Sequence, residues 1–341
     1  RRVSLVLHAT PISAAEELGK HLFSDKTVIC TSATLATGGD FGLFRSRCGI
    51  GTPPIELIGA PVFDFAQQAR VYLPNLTTYD WANRDSYFDA VAEEIRRLLE
   101  VSRGRAFCLF TSWSGLQYVS DKLRGLLPWP ILRQGELPRS ELLRRFRDTP
   151  HSVLFGTKSF WEGVDVPGDA LSMVVIDKLP FPSPRDPLHE ARAERISSEG
   201  GNAFTEYTLP LMILALKQGF GRLIRTKTDR GVVAILDSRL TTKRYGEIVL
   251  RSLPPAQVTR QFGDVYRFFR TDRFDAEAKL GFFDIGTYVG ADGEYWLVKA
   301  RERDAGLDAA VMAGVHWILG KDNGPDIMGF DLAPLASLHV S

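Results

Sequence analysis

The chain has 341 residues, 44% of them hydrophobic and 24% charged, with 42 Lys and Arg against 41 Asp and Glu. That length sustains one large or two moderate cores without disulfide or metal staples. No apolar run approaches the ~20 residues a bilayer crossing needs, which argues against a membrane protein and for a cytoplasmic one.

Charge and cysteines narrow the classes further. Residues 273–341 hold 6 Lys and Arg against 11 Asp and Glu, so the near-neutral whole hides a basic body and an acidic tail piece. A basic body is compatible with local phosphate binding. Cys30, Cys48 and Cys108 are odd in number, far apart and without metal-ligand spacing. They read as reduced thiols in or near the core, with no metal site among these residues.

Short apolar runs alternate with amphipathic stretches, the pattern of a parallel sheet covered by helices on both faces. A first strand is expected at Val3 to Leu7, followed by a polar helix, and a second at Thr27 to Cys30. Residues 36–62 are rich in Gly and Pro and suggest a crossing between two units. Further strands are expected at Arg70 to Leu73, Ala106 to Phe110, Ser152 to Phe155, Met173 to Ile176 and Gly231 to Leu236. Between them, Phe88, Val91, Ile95, Leu98 and Leu99 follow helical spacing behind Asp85 or Ser86 as cap. Leu116, Val119, Leu123 and Leu126 do the same, and "ELPRSELLRRFRD" is a third helix. Past residue 272, "FFDIGTYVGADGEYWLVKARE" reads as a hairpin about "ADGE" and residues 304–320 as a helix ending at Gly320. His316 and Trp317 there are expected to be packing residues.

Four segments could carry chemistry. "QGFGRLIR" (218–225) closes an apolar helix on what reads as the C-terminal side of the sheet. Arg222 and Arg225 one helical turn apart would place two permanently charged forks on one face. Such a pair suits a triphosphate or its hydrolysis transition state. "SVLFGTKSFWEGVDVPGD" is a strand followed by a glycine-rich loop with Lys158, Glu162, Gly163 and Asp165, where ligands of open α/β sheets bind. "TVICTSATL" ends a strand on Ser32, Ala33 and Thr34, hydroxyls able to relay hydrogen bonds. "CLFTSWSGL" sets Thr111, Ser112 and Ser114 at a helix start, either a phosphate perch or ordinary N-capping by Ser112 or Ser114.

Taken in order, "TSATL", "LFTSWSGL", "FWEGVDVPG" and "QGFGRLIR" resemble motifs III to VI of a superfamily 2 helicase. With "KLPFPSPRDPL", "GNAFTEYTLPLMILALKQG" and "LDSRLTTKRYGEIVLRSLPP", the chain is similar to the DinG branch of the DinG/XPD iron–sulfur helicases over roughly residues 3–262. The resemblance implies a RecA-like parallel sheet flanked by helices as second motor domain (51–272). The C-terminal end of the first motor domain (1–50) would precede it, and a small α+β extension (273–341) would follow. It implies that Arg225 is an arginine finger on ATP, Arg222 its companion and Gln218 a coupling residue, with Glu162, Gly163 and Asp165 near the nucleotide. Ser32 and Thr34 would couple ATP state to DNA grip. Ser112, Lys158 and Trp161 would touch single-stranded or forked DNA, with Phe160 and Phe181 as further stacking candidates.

The sequence contains no GxxxxGK[ST] phosphate loop, no acidic Mg²⁺ motif and no four-cysteine cluster. The expectation is therefore a C-terminal portion, inactive alone. Its ATP, most Mg²⁺ ligands and 4Fe-4S cluster would depend on an N-terminal motor domain of the same protein. Residues 273–341 would dock on the motor or a protein partner. The competing class is a non-catalytic RecA-like module that binds nucleic acid or protein.

Overall fold

The computed structural model describes residues 10–24, 26–32, 34–51, 54–160 and 170–270, apart from the Lys158 side chain, together with the backbone of five later strands. Contacts divide the chain into two compact units, Arg1–Val265 and Tyr266–Ser341.

The first unit is built on seven parallel strands: β1 (Ala69–Tyr72), β2 (Ala106–Leu109), β3 (Ile131–Arg133), β4 (Val153–Gly156), β5 (Met173–Ile176), β6 (Gly231–Ile235) and β7 (Gln257–Thr259). Their order is β3-β4-β2-β5-β6-β1-β7. β2, β4, β5 and β6 are buried at every position, as a parallel sheet covered on both faces requires. In register, Ala106, Phe107, Cys108 and Leu109 lie beside Met173, Val174, Val175 and Ile176.

Alternation along the strands sorts side chains into two cores. One contains Val71, Phe107, Leu109, Leu154, Val174, Ile176 and Val233 with Leu142 and Phe146 of α3 (Arg139–Asp148) and Met212, Ile213 and Leu216 of α5 (Leu209–Phe220). The other face meets α1 (Arg84–Ser102) and α2 (Trp113–Leu123), which bury Phe88, Val91, Ile95, Leu98, Leu116 and Val119. Each such side chain contributes about 1.5–3 kcal/mol by burial. α4 (Pro187–Ser198) and α6 (Gly246–Ser252) complete the helical layers.

Five of the expected strands form, and several details differ. Val3 to Leu7 lies outside the described residues. Thr27 to Cys30 pairs with no described strand, Ile29 is 88% exposed and Cys30 is exposed rather than near a core. A strand without neighbours leaves its backbone groups unpaired, so sequence propensity alone does not make one. The N-cap of α1 is Asn83, because Asp80 and Asn83 form a reciprocal capping box one turn earlier. α2 stops at Leu123: Arg124 turns extended, Gly125 follows at φ 83°, and Leu126 is left 64% exposed. β3 and β7, three residues each at the sheet edges, were too short to carry an alternation signal.

In the second unit, Tyr288–Ala291 and Glu294–Leu297 pair antiparallel, with Ala291 opposite Glu294, as the expected hairpin demands. The helix expected over 304–320 does not form. Leu307–Val311 pairs antiparallel with Trp317–Gly320 and with Ser337–Val340. Strand pairing on both sides of Leu307–Val311 overrides the helix propensity of its alanines.

Candidate functional site

The strand ends of a parallel sheet point one way, and the loops leaving β2, β3, β4, β5 and β6 meet at that C-terminal rim. Two strands close on an aspartate, "MVVID" and "GVVAILD". A carboxylate ending an apolar strand must find donors. Asp177, 1% exposed, accepts the Thr111 N–H at 2.8 Å, the Lys178 N–H at 2.7 Å and the Thr111 hydroxyl at 3.4 Å. Burial pushes its carboxyl up to about 6, against the pull of Lys178, whose Nζ lies at 3.9 Å, and of the Thr111 and Lys178 donors. Lys178 itself rests 4.0 Å from the centre of the Tyr79 ring, and desolvation lowers its pKa. Asp237 accepts the Leu179 N–H at 2.8 Å and two nitrogens of Arg239, Nε at 2.9 Å and Nη2 at 2.5 Å.

The same rim carries the hydroxyls of two expected contact segments. Ser112 is the N-cap of α2, accepting the Gly115 N–H at 3.2 Å, which is the ordinary capping role. Gln134, just after β3, accepts both the Thr157 N–H at 2.7 Å and the Thr157 hydroxyl at 3.0 Å just after β4. Trp113 is 43% exposed and lies against Gly135, whose φ of 95° and missing side chain give the indole its seat: a Cβ there would stand 2.7 Å from Cη2. Lys158 begins a one-turn 3₁₀ helix, Lys158–Phe160. Phe160 is 1% exposed and part of the core, so it is no stacking surface. Trp161, Glu162, Gly163 and Asp165 lie outside the described residues.

The arginine segment sits elsewhere than expected. α5 runs antiparallel to the strands and ends at Phe220, before both arginines, and residues 221–230 lead into the first residue of β6. The segment therefore belongs to the N-terminal rim, opposite the strand-end loops. Tight turns continue the chain: the Arg222 N–H donates to the Gly219 carbonyl and the Leu223 N–H to that of Phe220, at 3.2 and 3.1 Å. Arg222 Nε donates to the Gln218 carbonyl at 3.1 Å. The Arg225 and Thr226 N–H groups both donate to Asp229 Oδ2 at 2.8 Å. Gln68, buried just before β1, donates to the Thr226 and Asp229 carbonyls at 2.9 and 2.8 Å. Arg225 is half-buried, and desolvation lowers its pKa against the opposing charge of Asp229.

α5 spans the distance between the rims. Its inner face packs on the sheet, while Leu211, Leu214, Ala215 and Gln218 line a cavity of about 350 Å³ with Thr111 and Phe181. Ser32 and Thr34 form a hydroxyl turn, the Thr34 N–H donating to Ser32 Oγ at 3.2 Å. Two residues on, the Ala36 carbonyl accepts Lys217 Nζ at 3.1 Å, which ties this segment to α5 one residue before Gln218. The sequence reading missed Asp177, Gln134, Gln68 and Asp229, and the legible signal was the lone Asp closing an apolar strand. Among the described residues no group of three His, Cys, Asp or Glu is arranged to hold a metal ion. None of the described helices is long and apolar enough to cross a membrane.

Residues 95–256 match the helicase C-terminal domain family. The chain is 41% identical over 269 residues to the ATP-dependent DNA helicase YoaA of Haemophilus influenzae, covering 77% of this chain and 41% of that protein. It is 40% identical over 278 residues to the ATP-dependent helicase DinG of Mycobacterium tuberculosis, covering 80% and 41%. The matched residues carry β2 to β6 of the parallel sheet. The chain is similar to these DinG and YoaA helicases, and it spans about two fifths of the length of the curated relatives it matches, 41% for both.

Proposed function

We propose that the chain is the C-terminal motor half of an ATP-dependent 5′–3′ DNA helicase, supplying an arginine finger and single-strand contacts to a complete enzyme. The observation that carries this reading is the position of Gln218. This residue lines the cavity that reaches Thr111 at the strand-end rim, and its carbonyl accepts Arg222 Nε in the arginine segment. One helix thereby links a phosphate-binding rim to a pair of guanidinium groups. The names of the relatives, ATP-dependent DNA helicases, support the same reading.

In this reading ATP, held between two motor domains, supplies the γ-phosphoryl group whose transfer to water drives the motor. Arg225 and Arg222 neutralise the charge that develops there, which needs only position and fixed charge from this chain. The Arg225 guanidinium is half-buried, and desolvation lowers its pKa against the opposing charge of Asp229. Ser112, Thr111 and Lys158 hold strand phosphates, Trp161 stacks on a base, and Ser32 and Thr34 report nucleotide state to the strand. Glu162, Gly163 and Asp165 lie by the nucleotide. Most Mg²⁺ ligands and the 4Fe-4S cluster belong to the N-terminal motor domain, residues 273–341 engage a protein partner, and the setting is cytoplasmic.

The test is binding of the 341-residue chain to a single-stranded oligonucleotide by fluorescence anisotropy across a salt series. Affinity is expected to fall steeply with salt. Lys158→Ala and Ser112→Ala should weaken binding while His316→Ala leaves it unchanged. ATP turnover by this chain alone, abolished by Arg225→Ala, would overturn the dependence on a second motor domain. Salt-independent binding, or none, would overturn the strand contacts.

A further inference from the structure

α5 is apolar nearly all round, and only one of its faces is used by the core. Met212, Ile213 and Leu216 are buried against the sheet, yet Leu211, Leu214 and Ala215 line the cavity on the outer side. A helix that shows a second apolar stripe to a concavity is shaped for something that the core does not supply. The opposite wall is the segment after β5, where Pro180, Phe181 and Pro182 present flat, rigid surfaces. Phe181 is held in place by its own neighbours: Phe204 and Tyr245, with ring centres 6.0 Å away, and Arg239, 5.3 Å from its centroid.

The rim of this cavity is polar and ordered. His189 is fixed by a 2.6 Å hydrogen bond between Nδ1 and the Tyr207 hydroxyl, with Asp186 Oδ2 at 3.9 Å from Nε2. Asp186 accepts the Leu188 N–H at 3.0 Å as N-cap of α4. Thr111 is fixed by Asp177. Gln218 adds an amide with both donor and acceptor capacity, and Ser183 a hydroxyl at the mouth. The volume, about 350 Å³, stands at the small end of the range for small-molecule sites, roughly 300–1,000 Å³. Flat apolar walls, an edge of mixed donors and acceptors, and room for one planar group match a nucleobase better than a peptide segment, which would need a longer groove.

We propose that this cavity takes a base turned out from the single strand whose phosphates lie at the Thr111–Ser112 turn. Thr111 belongs to both places, so the base and its phosphate are neighbours on one nucleotide. The inference rests on the strand-binding reading above and adds the ligand class of a site to it. Through Gln218, whose carbonyl holds Arg222 Nε, the inserted base touches the helix that carries the arginine segment. Strand occupancy is then felt at the opposite rim without any long-range rearrangement.

The experiment uses the 341-residue chain and two strands of the same length, roughly a dozen nucleotides: oligothymidylate and a fully abasic backbone. Ala215→Phe fills the cavity, and Ser183→Trp covers its mouth from an exposed position that does not disturb the core. Both variants are expected to weaken oligothymidylate binding by about fivefold or more while leaving the abasic strand's affinity unchanged. If the two strands weaken equally, or neither changes, the base pocket is overturned and the cavity serves another occupant, such as a protein side chain. If the unmodified chain binds neither strand, the strand-binding reading falls first and this inference with it.

Discussion

The two rims of the sheet are built by opposite means. At the C-terminal rim, side-chain acceptors hold the loops: buried Asp177 the Thr111 turn, Gln134 the Thr157 turn, buried Asp237 the Leu179 N–H and Arg239. At the N-terminal rim the arginine segment is held by its backbone, through Asp229 on the Arg225 and Thr226 N–H groups and Gln68 on two carbonyls. The first device engages the N–H groups and hydroxyls of Thr111 and Thr157 with side-chain acceptors. The second fixes a chain path, along which Arg222 Nε also donates to the Gln218 carbonyl.

The largest expected effect falls at the entry to β6. A Cβ on Gly231 would stand 2.4 Å from the Ser172 carbonyl oxygen and 2.5 Å from Leu223 Cδ1. Gly231→Ala is expected to destabilise the domain by about 3 kcal/mol, read as a lower midpoint in urea, and a neutral result would mean that this rim is looser than its contacts. Next comes acid dependence at the other rim. Asp177 has its folded pKa raised to about 6, so the folded state holds that proton more tightly than the unfolded chain. Its stabilising share is complete below about pH 4 and is lost as pH rises through about 6, a decline of about 3 kcal/mol. Asp177→Asn should flatten that part of the stability–pH curve, and an unchanged slope would exclude Asp177 as its source.

Smaller effects sharpen the contrast. Gln68→Ala removes two hydrogen bonds that join β1 to the arginine segment and should cost about 1–2 kcal/mol. Faster amide exchange should then appear at Arg225 and Thr226, with Thr111 unaffected. Gln134→Ala releases the Thr157 N–H and hydroxyl and should cost about 1 kcal/mol, with faster exchange at Thr157 and none added at Arg225 and Thr226. If either substitution loosens both rims, the two are one cooperative unit rather than two separately held edges.

The sheet strands were legible where burial is complete. Met173–Ile176 and Gly231–Ile235 are apolar at every position, and a run of that length bounded by polar turns has few other folds. Edge strands β3 and β7 were not, since three residues, none of them buried, carry no periodicity. The helix expected over 304–320 fails because Ala-rich sequence suits either state until a partner strand is present. For the candidate site, the residue types at 111–112 and 218–225 were visible as motifs. Their separation onto opposite rims was not, because helical spacing through Arg225 was assumed where α5 ends at Phe220.

The sequence by itself determined the parallel sheet, the ends of its central strands and the motif order that resembles that of helicases. Those follow from short-range burial patterns and local chemistry, which the chain carries wherever it goes. Only the tertiary structure decided that Asp177, Thr111 and Lys178 share one buried junction, and that Gln218 faces a cavity shared with Phe181. Donors and acceptors far apart in the chain become partners only when packing removes water and leaves each polar group one neighbour to choose.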